Sequence, residues 1–207
     1  MIDAHLGSAM PARAERAGRR HSKPTRVNRA LRSVRMILPM SAVPPPGVEP
    51  ARPEGFQRVA LALARQGHPH APLWLEVAAR TAQEAADALG VTLGQIAKSV
   101  VFRRVADDRP VLVVASGDRR VDERKLAAQA GAVGRADAAF VRQRTGFVIG
   151  GVSPVGLSEA PVMLIDRDLL RFELIWAAAG HPNGVFRLAP AELPALTGAP
   201  LADVVAA

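Results

Sequence analysis

From about residue 53 onward, apolar and polar positions along this chain follow two alternating rhythms. Phe56, Val59, Ala60 and Leu63 share one helical stripe, which predicts a helix from Pro53 to about Gln66 that stops near Gly67. Thr81-Ala-Gln-Glu84 is a capping box: the Thr hydroxyl accepts a backbone N–H while the Glu carboxylate reaches back. It predicts a helix over Ala82–Leu89 that ends at Gly90. Asp122 is placed to cap a helix through Ala130, and Ala136–Arg142, Ala191–Leu196 and Leu201–Val205 read as further short helices. Runs rich in apolar and β-branched residues predict strands at Leu73–Val77, Gln95–Phe102, Pro110–Ser116, Phe147–Ile149, Pro161–Asp166, Phe172–Trp176 and Val185–Leu188. Strands and short helices interleaved without regular βαβ spacing predict a mixed α/β (α+β) sheet.

Lys98 stands out within the second of these strands. Side chains alternate along a strand, so Lys98 shares a face with Ile96, Val100 and Phe102. An ammonium group on an apolar face costs free energy unless it is paired or reaches a solvated pocket. Only Lys23, Lys98 and Lys125 are lysines among 27 basic residues, so a chain that otherwise uses arginine keeps a compact point charge here. Two readings follow from the pattern: a strand-end lysine snorkelling to water, or a cation retained for chemistry.

With 207 residues and 49% apolar content the chain has enough material for one sizeable core plus an appendage. Cysteine is absent, which removes disulfides, thiolate metal sites and a Cys nucleophile, and fits a reducing, cytoplasmic setting. No apolar run approaches the roughly 18 residues of a membrane span, so no membrane partner is expected. The net charge of +8 invites a nucleic-acid reading, but residues 1–40 hold nine Lys/Arg against Asp3 and Glu15, and the remainder is close to neutral. DNA is therefore not expected as a partner. A Pro-rich stretch from Ser41 to Pro50 follows, giving a basic extension over residues 1–50 and a folded domain over residues 51–207. The extension reads as a disordered tail or as upstream sequence ahead of a start at Met40, with an Arg-rich targeting segment as the third alternative; no chemistry is expected from it.

Four glycines and a proline fall within the twelve residues Thr145–Gly156. A tight loop from Gly150 to Gly156 lets backbone N–H groups near Gly150 and Gly151 approach a ligand, and Pro154 stiffens it. An ordinary turn between strands is the alternative. A second small-residue loop, residues 177–184, carries Gly180, His181 and Asn183. His68 and His70, beside two prolines, read as surface loop residues. Trp74 and Trp176 read as core, and Arg142 and Arg144 face solvent or meet phosphates.

The order of Gly-Val-x-Leu-Gly-Gln-Ile-Ala-Lys-Ser at residues 90–99, Gly-Asp-x-x-Val-Asp at 117–122, Thr-Gly-Phe-x-x-Gly-Gly-x-Ser-Pro-x-Gly at 145–156 and Ile165-Asp166 resembles the YbaK/EbsC family. These proteins are freestanding relatives of the editing domain inserted in bacterial prolyl-tRNA synthetases. The resemblance runs from about Phe56 to Val205. It implies a single domain with a mixed, curved sheet flanked by short helices, and hydrolysis in trans of the ester joining a wrong amino acid to a tRNA 3′ end. Implied partners are a mischarged tRNA, with tRNA(Pro) or another tRNA carrying a small wrong amino acid as the expectation, and prolyl-tRNA synthetase. No cofactor and no metal are implied. Lys98 matches the lysine on which the family's activity depends, and Gly150 and Pro154 match the Gly-x-x-x-Pro loop that shapes the aminoacyl pocket. Ser99, Gly151, Ser153, Gly180 and His181 are the further substrate-binding positions. Ala178-Ala179-Gly180 departs from the Ser-Gly-Gly-type segment of cysteinyl-specific members, which argues against strict cysteinyl specificity.

The residues agree with that chemistry without selecting it. The domain shows no Ser-His-Asp arrangement and no metal-ligand spacing. A hydrolase built this way must orient water and stabilise an oxyanion, for which Lys98 supplies charge and the glycine loop supplies N–H donors. The competing class is a non-catalytic binding module of the same fold that docks a tRNA end or a synthetase.

Overall fold

Every residue of the strand Pro110–Ser116 is buried, as its uninterrupted apolar run requires of a strand covered on both faces. The structure, a computed structural model, describes residues 51–206, and the basic extension expected over residues 1–50 lies outside the described residues. In chain order the elements are α1 (Glu54–Arg65), β1 (Leu73–Trp74), α2 (Ala82–Leu89), β2 (Ile96–Arg104), β3 (Pro110–Ser116), α3 (Glu123–Ala130), β4 (Val133–Arg135), α4 (Ala138–Thr145), β5 (Val162–Asp166), β6 (Ile175–Ala178), β7 (Gly184–Leu188), α5 (Leu193–Thr197) and β8 (Leu201–Ala202). A 3₁₀ turn, Arg167–Arg171, follows β5.

The strands form one mixed sheet in the order β1-β7-β6-β2-β3-β5-β8, with β4 added to β2. The β2–β3 pair is antiparallel over seven residues, whereas β6 on β2 and β5 on β3 are parallel. Alternation along the central strands sends side chains to two covered faces. Leu112, Val114, Ala97 and Val101 meet Phe56, Val59 and Leu63 of α1 and Val141 of α4. Val111, Val113, Ala115 and Phe102 meet Leu126 and Ala130 of α3. A third cluster joins Ala85 and Ala86 of α2 to Ile96, Trp176 and Val185. Each fully buried Val or Leu stabilises by about 1.5–3 kcal/mol, so both faces are needed to hold β2 and β3.

The capping box forms as predicted: Glu84 N–H donates to Thr81 Oγ1, and Thr81 N–H donates to Glu84 Oε2. Gly90 takes the left-handed conformation that ends α2. Several expectations need correction. The first strand is two residues long instead of Leu73–Val77, because β7 pairs only with Leu73 and Trp74. Phe147–Ile149 is not a strand: Phe147 N–H donates to Thr145 Oγ1 and Gly151 N–H to the Val148 carbonyl, closing local turns. The helix expected at Ala136–Arg142 starts later, where Asp137 accepts from Phe140 N–H, and Val133–Arg135 before it pairs with β2. The strand expected at Phe172–Trp176 begins at Ile175, since the preceding 3₁₀ turn ends on Phe172. Leu201–Val205 is extended, not helical: Leu201 and Ala202 pair with β5, and Val205 bridges to Val121. Among the described residues no helix is long and apolar enough to cross a membrane.

Candidate functional site

On one edge of β2 a cavity of about 350 Å³ opens, within the range of small-molecule sites. Its floor is the strand itself, Ile96 to Val101, so residues belonging to both faces of β2 line it. Ala79, Ala82 and Ala85 line it from the α2 side, Trp176 and Ala178 from β6, and Ile149, Gly150 and Val152 from the glycine loop. Most of these groups are small or apolar. Charge in the lining comes from Lys98 and from Arg80, which is exposed.

Lys98 is half-buried, and its Nζ donates to the backbone carbonyls of Gly117 at 2.9 Å and Arg119 at 2.6 Å. Burial pushes its pKa below the ordinary lysine value, opposed by the nearby Asp118 carboxylate. The turn that offers those carbonyls is itself pinned. Ser116 Oγ donates to the Gly94 carbonyl at 2.6 Å and lies 2.8 Å from Asp118 Oδ1. Arg171 Nη2 donates to both Asp118 oxygens, at 2.6 and 2.7 Å, and to Ser116 Oγ at 3.0 Å. Burial alone would raise the Asp118 carboxyl, but hydrogen bonds from Ser116 and Arg171 bring it below its usual value. Arg171 also reaches Asp168, which pairs with Arg119 Nε at 2.7 Å.

Asp166, fully buried at the end of β5, caps the 3₁₀ turn by accepting from Asp168 N–H at 3.1 Å. Its other oxygen has no partner, and burial raises its pKa. A chain of contacts thus runs from Asp166 through Asp168 and Arg171 to the turn that grips Lys98.

The other expected positions divide. Lys98, Ser99 and Gly150 line the cavity together. Ser99 lies on the opposite face from Lys98, and its Oγ is buried without a partner. Gly151, Ser153 and Pro154 are buried outside the lining, and Ser153 Oγ accepts from Val155 N–H. A side chain on Gly151 would come within 2.8 Å of the His181 backbone, so only glycine lets the two loops meet. Gly180 is buried against Gly55 and Phe147. The His181 ring stacks on Trp74, centroids 4.9 Å apart, and its Nδ1 accepts from Asn183 N–H at 3.1 Å. That places the proton of the neutral ring on Nε2, and burial lowers its pKa. Pro182, next in sequence, lines the cavity where His181 does not.

Trp176 is expected in the core. It is buried, yet it lines the cavity with its indole N–H unpartnered. Arg80 carries no signal of its own in the sequence, as an arginine standing just before a capping box. Arg144 pairs with Glu159 at 3.2 Å and Asp108 at 3.5 Å, whereas Arg142 is exposed. Among the described residues no three of His, Cys, Asp and Glu gather as a metal-ligand set.

Residues 76–196 match the family described as the aminoacyl-tRNA editing domain. The uncharacterized protein YwhH of Bacillus subtilis is 38% identical over 119 residues, 57% of this chain and 75% of that one. A candidate Cys-tRNA(Pro)/Cys-tRNA(Cys) deacylase of Enterococcus faecalis, EbsC, is 28% identical over 127 residues, covering 60% of this chain and 76% of its own. Among solved structures, a candidate trans-editing enzyme for prolyl tRNA synthetase superposes with a TM-score of 0.70 at 40% identity, over 76% of this chain and all of the other.

Proposed function

This chain belongs to the aminoacyl-tRNA editing domain family, of the YbaK/EbsC type, and on that footing we propose that it removes a small wrong amino acid from a mischarged tRNA in a reaction that depends on Lys98. As a member it is a trans-acting editing deacylase, a hydrolase of the ester at the tRNA 3′ end. The proposal adds the substrate, tRNA(Pro) or another tRNA bearing a small residue, the residues that act, and residues 51–207 as the acting domain. It also adds a cytoplasmic setting in which prolyl-tRNA synthetase produces the error.

The observation that carries this reading is the composition of the cavity. A hollow of about 350 Å³ with alanine walls and one fixed lysine suits a short side chain on a polar ester. Two N–H groups of the Lys98 ammonium are held by the Gly117 and Arg119 carbonyls, which leaves a third to meet the ester carbonyl or a 3′-end phosphate. Water adds to the carbonyl carbon, negative charge grows on the carbonyl oxygen, and the Lys98 cation stabilises it. The bond from carbon to the ribose oxygen then breaks, that oxygen leaves with one of the water's protons, the amino acid departs as its carboxylate, and the second proton passes to solvent. The ribose hydroxyl or the amino acid itself assists in moving the proton. Gly150 lines the cavity with the strand, and Gly151 packs against the His181 backbone beside it.

Single-turnover deacylation across a panel of mischarged tRNAs tests the proposal. Rapid hydrolysis confined to small aminoacyl groups on tRNA(Pro) or a similar tRNA is expected. A flat, uncatalysed rate on every substrate would reduce the protein to a docking module.

A further inference from the structure

Two neighbours of β2 stop short of each other on the same edge. β6 pairs with Ile96 and Ala97, and β4 with Phe102, Arg103 and Arg104, so residues 98–101 have no strand partner on that side. At strand rise the gap is roughly 13 Å long. The far end of the strand shows which backbone groups face it. Arg104 N–H donates to the Arg109 carbonyl on the β3 side, and Val105 N–H donates to the Ala132 carbonyl on the β4 side. Direction alternates residue by residue along an antiparallel strand, so Ser99 and Val101 turn their backbone groups away from β3 and into the gap. Both residues line the cavity. Among the described residues the N–H and C=O of Ser99 and the N–H of Val101 have no hydrogen-bond partner there.

We infer that this open edge receives the aminoacyl group as if it were one residue of an added strand, with the substrate's α-ammonium donating to Ser99 C=O and its ester carbonyl accepting from Ser99 N–H. An α-amino acid ester carries a donor and an acceptor on either side of one carbon, the frame that a strand residue presents to a hydrogen-bonded antiparallel partner. The edge therefore reads what all amino acids share. Side-chain selection is left to the alanine and tryptophan walls. Ser99 N–H also meets the oxygen on which charge develops, which makes it an oxyanion donor. Val101 N–H, roughly 7 Å further along the strand, faces the ribose side. The inference rests on the deacylase reading and deepens it.

The test uses a non-hydrolysable pair: adenosine bearing alanine on a 3′-amide, and the same compound with a propionyl group in place of alanine. The alanyl compound is expected to bind about 10- to 100-fold more tightly, since hydrogen bonds to charged groups carry that weight. In the ¹⁵N-labelled protein its binding should move the Ser99 and Val101 amide resonances. Ser99→Pro, which deletes the N–H on the cavity side without touching the ladder to β3, should weaken both compounds. Equal affinity of the two analogues, unmoved Ser99 and Val101 amides, or no binding at all overturns the inference. Should Ser99→Pro fail to fold, the analogue pair on the unaltered protein decides. Discriminating binding with shifted amides, combined with no hydrolysis of any mischarged tRNA, would instead sink the deacylase reading.

Discussion

The ammonium nitrogen of Lys98 and the backbone carbonyl oxygen of Arg119 lie 2.6 Å apart, although the two residues sit on different elements. Together with the Gly117 carbonyl at 2.9 Å, this contact fixes a flexible four-carbon side chain at the cavity wall. Removing the cation should therefore act on the chemical step more than on binding. Lys98→Ala is expected to lower single-turnover deacylation by about 100-fold or more, the usual cost of deleting a preorganised charge donor. Lys98→Arg should fail to restore it, because a planar guanidinium cannot donate to both carbonyls from the same point. Unchanged hydrolysis by Lys98→Ala would remove the lysine from the mechanism.

Asp118 touches Lys98 only through the field and the turn. Its carboxylate raises the Lys98 pKa against the lowering by burial, and its bonds to Ser116 and Arg171 shape the carbonyl pair. Asp118→Asn keeps most of those bonds and removes the charge. Without that carboxylate the lowering by burial acts on Lys98 unopposed, and its pKa falls further. If Lys98 acts as an ammonium, activity falls as pH rises through its pKa. The alkaline limb of the pH–rate profile should accordingly move to lower pH in Asp118→Asn. A limb that stays in place would show that Asp118 is only a turn residue.

Much of this architecture was legible because it is written locally. The Thr81–Glu84 capping box, the left-handed Gly90 and the Asp122 cap are short-range hydrogen-bond devices, and α2 and α3 follow from them. The buried run Pro110–Ser116 announces itself by composition. What was not legible depends on partners far away in the chain. Leu201–Val205 carries helix-compatible residues, yet Ile165 and Val121 hold it extended. Phe147–Ile149 has strand-like residues but no strand to pair with, so Val148 and Ile149 stay exposed. Within the site, Lys98 is visible as an anomaly in its strand, whereas its carbonyl clamp belongs to a turn some twenty residues on. The open edge of β2 is set by where β6 and β4 end, which no property of residues 98–101 reveals.

Gly151 is placed by its neighbour, not by its own conformation: a Cβ there would meet the Cα and carbonyl carbon of His181 at 2.8 Å. Backbone atoms cannot rotate aside, so Gly151→Ala must push the two loops apart. We expect a loss of about 1–3 kcal/mol in stability, read by urea denaturation. The His181–Trp74 stack should loosen with it, seen as altered Trp fluorescence. Wild-type stability and fluorescence in Gly151→Ala would show that the loops are not in register against each other.

Ala178 ends β6 at the cavity wall, where its neighbour Trp176 also contributes. Ala178→Leu fills part of the hollow and leaves Lys98 and the glycine loop unaltered in sequence. Discrimination by a methylene is worth about 10- to 200-fold in an apolar pocket. Deacylation of the larger aminoacyl groups that the unaltered protein accepts should fall by that order, with the smallest group least affected. Uniform loss across the panel would point to a collapsed site, and no change would put the side chain of the substrate elsewhere.

Asp166 tests whether the support behind Lys98 has an electrostatic cost. Its folded-state pKa is raised by burial, so relative to the unfolded chain it favours folding while protonated. That contribution is complete below the unfolded value and is lost as pH rises through the folded one. The Asp166 Oδ2 is buried without a partner, so ionisation is disfavoured in the folded chain. Asp166→Asn keeps an acceptor for Asp168 N–H and removes the titration. The variant's melting temperature relative to wild type should thus be higher at pH 8 than at pH 4. Deacylation should persist in part, since the 3₁₀ turn bearing Arg171 retains its cap. A melting-temperature difference that is constant across this range would mean that Asp166 titrates alike in the folded and unfolded chain. The buried carboxyl would then impose no pH dependence on the turn that grips Lys98.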